Sequence, residues 1–410
     1  MSKLDELIQE KCPNGVEYVP LWSVTVWDKK FSSVDRKKQP KVKDYPYLLA
    51  SDLFALQADN GNVFLLSTGE QTGWTTEELA GDNLREGEVV TIPWGKSRAV
   101  TDCIKYYKGK FVTADNRIMT SSDAEKLNNK YLYYWIMSQG KTIDTFYRGS
   151  GIKHPDMAKV LDMEMPLPPI EIQREIVRIL DNFTNLTAEL TAELTARKNQ
   201  YEFYRDKLLT YDSKTRIMPL KDVAEIERGT RVVRSQLTEA GLYPVFQNAL
   251  TPMGYYDKAN RLGNNTFLIC AGAAGQIGYS DVDFWAADDC YTFKCCDKLE
   301  NRYLFHVLKN NQHRIDAQVR RASIPRISRE AVGNIRIPIP PLDVQNRIVN
   351  VLDNFEKICS DLNIGLPAEI EARQKQYEYY RDKLLTFAEA GGTIMSRAEQ
   401  SRAEQSRAEH

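Results

Sequence analysis

No apolar run in this 410-residue chain approaches the roughly 20 residues a helix needs to cross a bilayer, so a membrane protein is not expected. The opening Met1-Ser2-Lys3-Leu4-Asp5-Glu6 lacks the apolar core of a secretory signal. Cysteine is scarce: seven residues, an odd number without framework spacing, point to reduced thiols and a cytoplasmic setting. Cys270, Cys290, Cys295 and Cys296 lie close together but form no Cys-x-x-Cys pair, so no metal site is expected. A net charge of −1 excludes a uniformly basic coat, and any nucleic acid must be met by local patches.

Catalytic signatures are missing as well. Gly95-Lys96-Ser97 has Val90 where a phosphate-binding loop requires its first glycine. Ala271-Gly272-Ala273-Ala274-Gly275-Gln276-Ile277-Gly278 follows an apolar stretch, yet the next residues read as strand; a glycine-rich turn is expected, not a dinucleotide loop. Pro155-Asp156 has no following Glu-x-Lys, and Thr91-Ile92-Pro93-Trp94 is not the Asn/Asp-Pro-Pro-aromatic element of an amino-methyltransferase. No catalytic residue, metal or cofactor is assigned.

What the chain does contain is a duplication. Gln200-Tyr201-Glu202-Phe203-Tyr204-Arg205-Asp206-Lys207-Leu208-Leu209-Thr210 returns at 376–386 with one change, Phe203 to Tyr379. Upstream, Pro168-Pro169-Ile170-Glu171-Ile172-Gln173 through Leu180-Asp181-Asn182-Phe183 returns as Pro340-Pro341-Leu342-Asp343-Val344-Gln345 through Leu352-Asp353-Asn354-Phe355. Apolar residues at steps of three and four (Ile172, Ile176, Leu180, Phe183, Leu186, Leu190, Leu194) predict a helix from Glu171 to about Tyr211, and Asp343 to about Phe387 predicts a second. The first carries the tetrad Thr187-Ala188-Glu189-Leu190 twice, each adding about 6 Å of helix. The second contains Asn363-Ile364-Gly365-Leu366-Pro367, which is expected to kink or break it.

Before each helix lies a mixed segment. In the first, 1–166, a helix is predicted over Leu4–Glu10 and another over Asn129–Gln139. Strands are predicted over Tyr45–Ala50, Val63–Ser67, Glu88–Pro93, Asp102–Tyr107 and Arg117–Thr120. Residues 213–338 repeat this plan loosely: Ile217-Met218-Pro219-Leu220 echoes Tyr18-Val19-Pro20-Leu21, and Asn301-Arg302-Tyr303-Leu304 echoes Asn129-Lys130-Tyr131-Leu132. Ser323-Ile324-Pro325-Arg326 faces Ser150-Gly151-Ile152-Lys153 before the exit. The expected order is a mixed domain (1–166), a long helix (167–212), a second mixed domain (213–338), a second long helix (339–387) and a Ser-Arg-Ala-Glu-Gln pentad tail (388–410) read as disordered or frayed.

The paired Pro-Pro entries, the Glu171-Ile172-Gln173 and Asp343-Val344-Gln345 steps and the two Tyr-Arg-Asp-Lys-Leu-Leu-Thr ends resemble the specificity subunit of a type I restriction-modification enzyme, up to about residue 387. The resemblance implies an α+β fold: two mixed α/β target-recognition domains joined by two long antiparallel helices with pseudo-two-fold symmetry. Each domain then reads one half of a split, asymmetric double-stranded DNA sequence. Tetrads such as Thr187–Leu190 act as the spacer element in that family, so one more should shift the halves by at most one to two base pairs. Chemistry would come from two methyltransferase subunits docked on the helices, with restriction subunits where a system has them. Competing readings are a helical scaffold whose domains bind protein, and a self-contained DNA methyltransferase with cryptic motifs.

Lys29, Lys30, Arg36, Lys37, Lys38, Lys41 and Lys43 form a candidate phosphate-tracking loop, with a solvated loop as the alternative. Arg148, Lys153 and His154 stand at the exit of the first domain. In the second, Arg228, Arg231 and Arg234 form one cluster and Arg314, Arg320, Arg321, Arg326 and Arg329 another, against Asp316 and Glu330, within a segment of 18 basic and 13 acidic residues. Arginine suits bidentate contact with guanine, although a surface salt bridge is an equal alternative for any one of them. Trp74 and Trp94 sit on glycine-flanked turns, to touch DNA or to cover a core edge. Tyr201, Tyr204, Tyr377 and Tyr380 are candidates for partner docking, for pairing within the chain, or for both.

Overall fold

Five helices carry the architecture: α1 (Asn129–Ser138), α2 (Ile170–Leu208), α3 (Asn301–Asn310), α4 (Leu342–Ser360) and α5 (Leu366–Leu384). The computed structural model describes residues 3–46, 48–69, 72–96, 98–114, 116–211, 215–360 and 365–387. The pentad tail lies outside these. At 1.5 Å per residue, the 39 residues of α2 measure about 58 Å. The second helical segment is two 19-residue helices, α4 and α5, where the sequence predicted one with a weak point. Gly365 precedes α5, and Pro367 sits in its first turn, where a missing N–H costs nothing.

The chain divides into two compact units, one of residues up to Ala188 with those from Ala372 on, the other Glu189–Glu371. The boundaries fall inside α2 and α5, so each unit owns a head and one stretch from each helical segment.

In the first unit a six-stranded sheet runs in the spatial order Thr25–Trp27, Asn116–Ser121, Arg85–Pro93, Lys105–Thr113, Val63–Leu66 and Trp74–Thr75. Only the Val63–Leu66 and Lys105–Thr113 pair is parallel. Two sequence expectations shift. Tyr45–Ala50 is not a strand: Pro46 lacks a donor, Leu48 makes a lone bridge to Ala114, and Ala50–Ala55 is helical with Leu53 fully buried. The strand expected over Asp102–Tyr107 starts at Lys105, after a short 3-10 turn at Val100–Asp102. α1 buries Tyr131, Leu132, Trp135 and Ile136 in one core with Ile172, Ile176 and Leu180 of α2 and with Leu384 and Leu385.

The second unit has a four-stranded antiparallel sheet (Ala224–Arg228, Cys290–Cys295, Asn265–Ile269, Ile277–Ser280) and a three-stranded one (Gly254–Tyr256, Tyr243–Phe246, Trp285–Ala286). Its core joins Tyr303, Leu304 and Leu308 of α3 to Ile348 and Leu352 of α4 and to Leu209. The four-stranded order matches Thr25–Trp27, Asn116–Ser121, Arg85–Pro93 and Lys105–Thr113 of the first unit strand for strand. The heads thus share that plan as well as a helical base, and differ in that the remaining strands of the second form a separate sheet.

That base is closed identically in both units. The entry strand pairs antiparallel with the exit strand: Tyr18–Pro20 with Glu164–Pro166, and Ile217–Pro219 with Arg336–Pro338. Within each unit the helical stretches run antiparallel. Phe355 of α4 meets Tyr201 and Tyr204 of α2, and Cys359, further along α4, lies by Lys198 and Arg197, further back along α2. In the first unit Phe183 of α2 stacks on Tyr380 of α5, 5.5 Å between ring centres, while Leu384 and Leu385 reach the core built around Ile176 and Leu180.

Candidate nucleic-acid interface

The head-to-helix junction is the same construction twice. The amide of Gln173, fully buried, accepts from Asn128 N at 2.9 Å and donates to the carbonyls of Lys126 and Pro168, both at 2.7 Å. Gln345, equally buried, accepts from Glu300 N at 2.9 Å and donates to Lys298 and Pro340, both at 2.8 Å. Eight residues on, Asp181 receives Lys130 Nζ (2.8 Å) and the Tyr134 hydroxyl (2.6 Å), where Asp353 receives Arg302 Nε (2.8 Å) and His306 Nε2 (2.7 Å). Tyr131 and Tyr303 then donate to the carbonyls of Pro166 and Pro338. These pairs all stand 172 residues apart.

Asp353 shows the electrostatics of the junction. Burial pushes its carboxyl up, but the His306 hydrogen bond and the Arg302 guanidinium outweigh that and hold it below the ordinary carboxylate range. His306, Asp353 and Glu356 also bring three donor atoms within 4.8 Å of one another, the only such group among the described residues. Arg302 already bonds both carboxylates, at 2.8 and 2.7 Å, so a metal ion there would have to displace a guanidinium. The group is a clamp. Cys290 likewise spends its thiol on the carbonyls of Phe246 (3.2 Å) and Gln247 (3.1 Å).

The basic loop after Trp27 is built rather than slack. Phe31 and Val34 pack into the core, and buried Gln39 accepts from Phe31 N (2.8 Å) and donates to Lys29 O (3.1 Å). Asp35 caps the short turn Arg36–Lys38 by accepting from Lys37 N. Lys29, Lys30, Arg36 and Lys37 are left exposed, whereas Lys38 is paired with Asp162 at 2.5 and 2.8 Å.

Next to this loop lies a group the sequence did not single out. Arg117 is 2% exposed, its guanidinium 3.8 Å from the centre of the Trp94 ring and its Nη1 3.9 Å from Asp28 Oδ2. Burial pushes the Asp28 carboxyl up to about 6 against the pull of Arg117. His154 also lies against Trp94, ring centres 4.9 Å apart, with Nδ1 2.9 Å from the Trp94 carbonyl. Lys29 Nζ stands 6.0 Å from the same indole. Arg117 was hidden because it sits in a short strand, Asn116–Ser121, whose first four residues are all buried, and a lone arginine there carries no motif.

Arg148 and Lys153 belong to a short hairpin. Tyr147–Arg148 pairs with His154–Pro155, and Lys153 bridges to Lys96 on the turn that carries Trp94. Arg148, Lys153 and His154 are all exposed. The structure thus gathers Lys29, Trp94, Lys153 and His154 on one head.

The second head gathers its arginines around Cys270–Gly272. Arg320 and Arg326 face each other across a bridge, and Arg326 also bridges to Ala271. Ile327 N donates to Cys270 O, and Gly272 N to Pro325 O. Gly272 adopts φ +84°, a backbone that suits glycine. Arg228 donates to the carbonyl of Asp288 at 2.7 Å and opposes the upward push of burial on the Cys270 thiol. Arg321 lines a cleft of about 630 Å³ with Gly272, Gln276, Lys309 and Asp316. Arg228, Arg231, Arg320, Arg321 and Arg326 are all exposed.

At the repeated helix ends, Tyr201 and Tyr377 turn inward, against Phe355 and Tyr134 respectively. Tyr204 and Tyr380 stack on Phe355 and Phe183. The aromatic rings most open to solvent are instead Phe203 (61%) and Tyr379 (53%), each under a lysine ammonium, Lys207 at 5.8 Å and Lys383 at 5.5 Å.

Comparison with known proteins agrees with this construction. A family model described as the type I restriction modification DNA specificity domain matches residues 25–197 and again 213–372. The chain is 30% identical to the specificity subunit of the Escherichia coli type I restriction enzyme EcoR124I/EcoR124II, over 94% of this chain and 98% of that one. Its fold resembles the crystal structure of a type I restriction-modification S subunit from M. genitalium, with a TM-score of 0.63 at 16% identity over 92% of this chain and 98% of the other. A chain from a structure of type I R-M complex assembly and conformational transition gives 0.52 at 16% identity, over 91% and 98%. Two matches of one specificity domain, one on each head-and-helix unit, and a relative aligned almost end to end place the chain in the family of type I restriction-modification specificity subunits, the non-catalytic members that recognise the DNA target.

Proposed function

We propose that this chain reads an asymmetric, two-part DNA sequence, the head within 1–166 contacting one half and the head within 213–338 the other. One observation carries the reading: two heads with the same four-stranded order but different exposed basic residues sit on the same Gln–Asp clamp, so each unit keeps its frame and varies its reading surface. Lys29, Lys30, Arg36, Lys37, Arg148 and Lys153 contact phosphates or bases on one half, and Arg228, Arg231, Arg320, Arg321 and Arg326 on the other. Lys38 plays a lesser part, being held by Asp162. The helical segments set the gap between halves, with the Thr187–Leu194 tetrads as its adjustable length. The complex works in the cytoplasm; no helix among the described residues is long and apolar enough to cross a membrane.

Two methyltransferase subunits bind per chain, one at each copy of the repeated helix end, joined by restriction subunits where the system encodes them. Support comes from exposed residues. Packing accounts for Tyr201, Tyr377, Leu209 and Leu385, but Glu202, Asp206 and Lys207 are exposed and return unchanged as Glu378, Asp382 and Lys383. Mapping of methylated bases in DNA from cells with and without this gene tests the reading. A split sequence with unlike halves, methylated only when the gene is present, is expected. An uninterrupted or palindromic site would overturn it.

A further inference from the structure

The repeated base extends one step into the heads. The 172-residue offset relates Asn129 to Asn301 and Asp181 to Asp353, and it also relates Arg148 to Arg320, Ile152 to Ile324 and His154 to Arg326. The backbone follows that offset. Arg148 bridges antiparallel to His154, and Arg320 to Arg326, so each head carries a hairpin of the same span. This corrects the alignment suggested by the two serines, which set Ile152 opposite Pro325. In both hairpins the fifth of seven residues is an isoleucine turned to solvent, Ile152 at 67% exposure and Ile324 at 53%.

A single exposed aliphatic residue is ordinary. These two are placed alike on heads whose sequences agree only in outline, and each is flanked by exposed basic side chains: Arg148, Lys153 and His154 in one, Arg320, Arg321 and Arg326 in the other. Local packing supports both tips. A Cβ on Gly95 would come within 2.6 Å of Ile152 Cγ2, so glycine there leaves room for that side chain. Pro325 stiffens the backbone after Ile324, and its carbonyl accepts from Gly272 N at 3.1 Å.

We propose that each hairpin enters the major groove of its half-site, with Ile152 or Ile324 against base edges and the flanking cations on phosphates. This inference rests on the two-part reading above. A two-stranded ribbon fits the major groove, and an aliphatic side chain there is matched by the thymine methyl and the apolar C5 edges of pyrimidines. The apolar contact excludes water without neutralising a phosphate. Its contribution to affinity is therefore insensitive to salt, unlike that of the arginines beside it.

The test uses the full chain assembled with its methyltransferase subunits, on DNA carrying the mapped target. Ile152→Ala and Ile324→Ala are each expected to lower specific affinity roughly tenfold at every salt concentration, leaving the slope of log affinity against log salt unchanged. Arg148→Ala and Arg320→Ala serve as comparators and should each reduce that slope by about one. Base preference is expected to relax within one half-site for Ile152→Ala and within the other for Ile324→Ala. The hairpin inference is overturned if both isoleucine variants keep wild-type affinity and base preference, or if both alter the same half. A wild-type complex that methylates no two-part target would instead bring down the underlying reading.

Discussion

A buried glutamine at the start of each helix explains why the Pro-Pro-x-x-x-Gln step is written twice. Gln173 and Gln345 each satisfy three backbone groups, two of them on loops 45 and 47 residues away in the chain. The repetition is plain in the sequence, but the role is not, because the partners are main-chain atoms that any side chain would supply. Arg117 was obscured for the opposite reason, a lone ion buried within a strand and part of no motif. Gln173→Ala strands buried donors and acceptors and should destabilise the first unit by about 3 kcal/mol, with Gln345→Ala doing the same to the second. Hydrogen exchange resolved by peptide should show each loss confined to one unit. Asp28 gives a pH signature. Its folded carboxyl titrates near 6, above the ordinary 3.8, so the folded state holds a proton that the unfolded chain has released. Stability from this group is full below about pH 4, is lost as pH rises through 6, and amounts to about 3 kcal/mol for a shift of about two units. Denaturant titrations at pH 4, 5, 6 and 7 should show wild type losing ground to Asp28→Asn across that window, and parallel curves would refute the assignment.

Elements were legible where periodicity was long. The apolar spacing that predicted a helix from Glu171 to about Tyr211 matches α2 at Ile170–Leu208, and Asn129–Gln139 matches α1. Short segments were harder. Tyr45–Ala50 has strand-like residues, yet Pro46 and the buried Leu53 turn it into an approach to a helix. Tyrosines at helical spacing left open whether the repeated ends dock a partner, pair within the chain, or both. Stacking of Tyr204 on Phe355 and of Tyr380 on Phe183 shows that those rings serve the helix pairs, leaving Phe203 and Tyr379 outward. Phe203→Ala and Tyr379→Ala should therefore each cost the complex one methyltransferase subunit without unfolding the chain, since exposed aromatics contribute little to the fold and much to interfaces. Native mass spectrometry of co-expressed subunits reads this directly: two bound subunits in wild type, one in either single variant, none in the double. Full occupancy in the double variant would move docking elsewhere.

At the scale of the whole molecule, the chain order and the folding units disagree in an informative way. A reader of the sequence sees head, helix, head, helix. The structure assigns the last described residues to the first head: Leu384 and Leu385 are in its core, and Tyr18 OH donates to Phe387 O at 2.9 Å. Leu209 and Tyr211, which follow α2, serve the second head in the same way, Tyr211 OH lying 2.6 Å from Tyr303 OH. Sequence repetition could not reveal this exchange, because two identical helix ends carry no label saying which head each completes. The N-terminal head is thus finished only by residues 369 positions further on. A chain cut after Glu371 should accordingly lose protection from hydrogen exchange in α1 and in the Tyr18–Pro20 and Glu164–Pro166 pair, while α3 and α4 keep theirs. The double variant Leu384→Ala, Leu385→Ala tests the same point without truncation. Two leucines leaving one buried cluster should destabilise the first unit by about 4–8 kcal/mol, while the corresponding Leu208→Ala, Leu209→Ala pair should act on the second unit alone. Equal loss in both units from either pair would show that the helix ends are not partitioned between heads as their packing indicates.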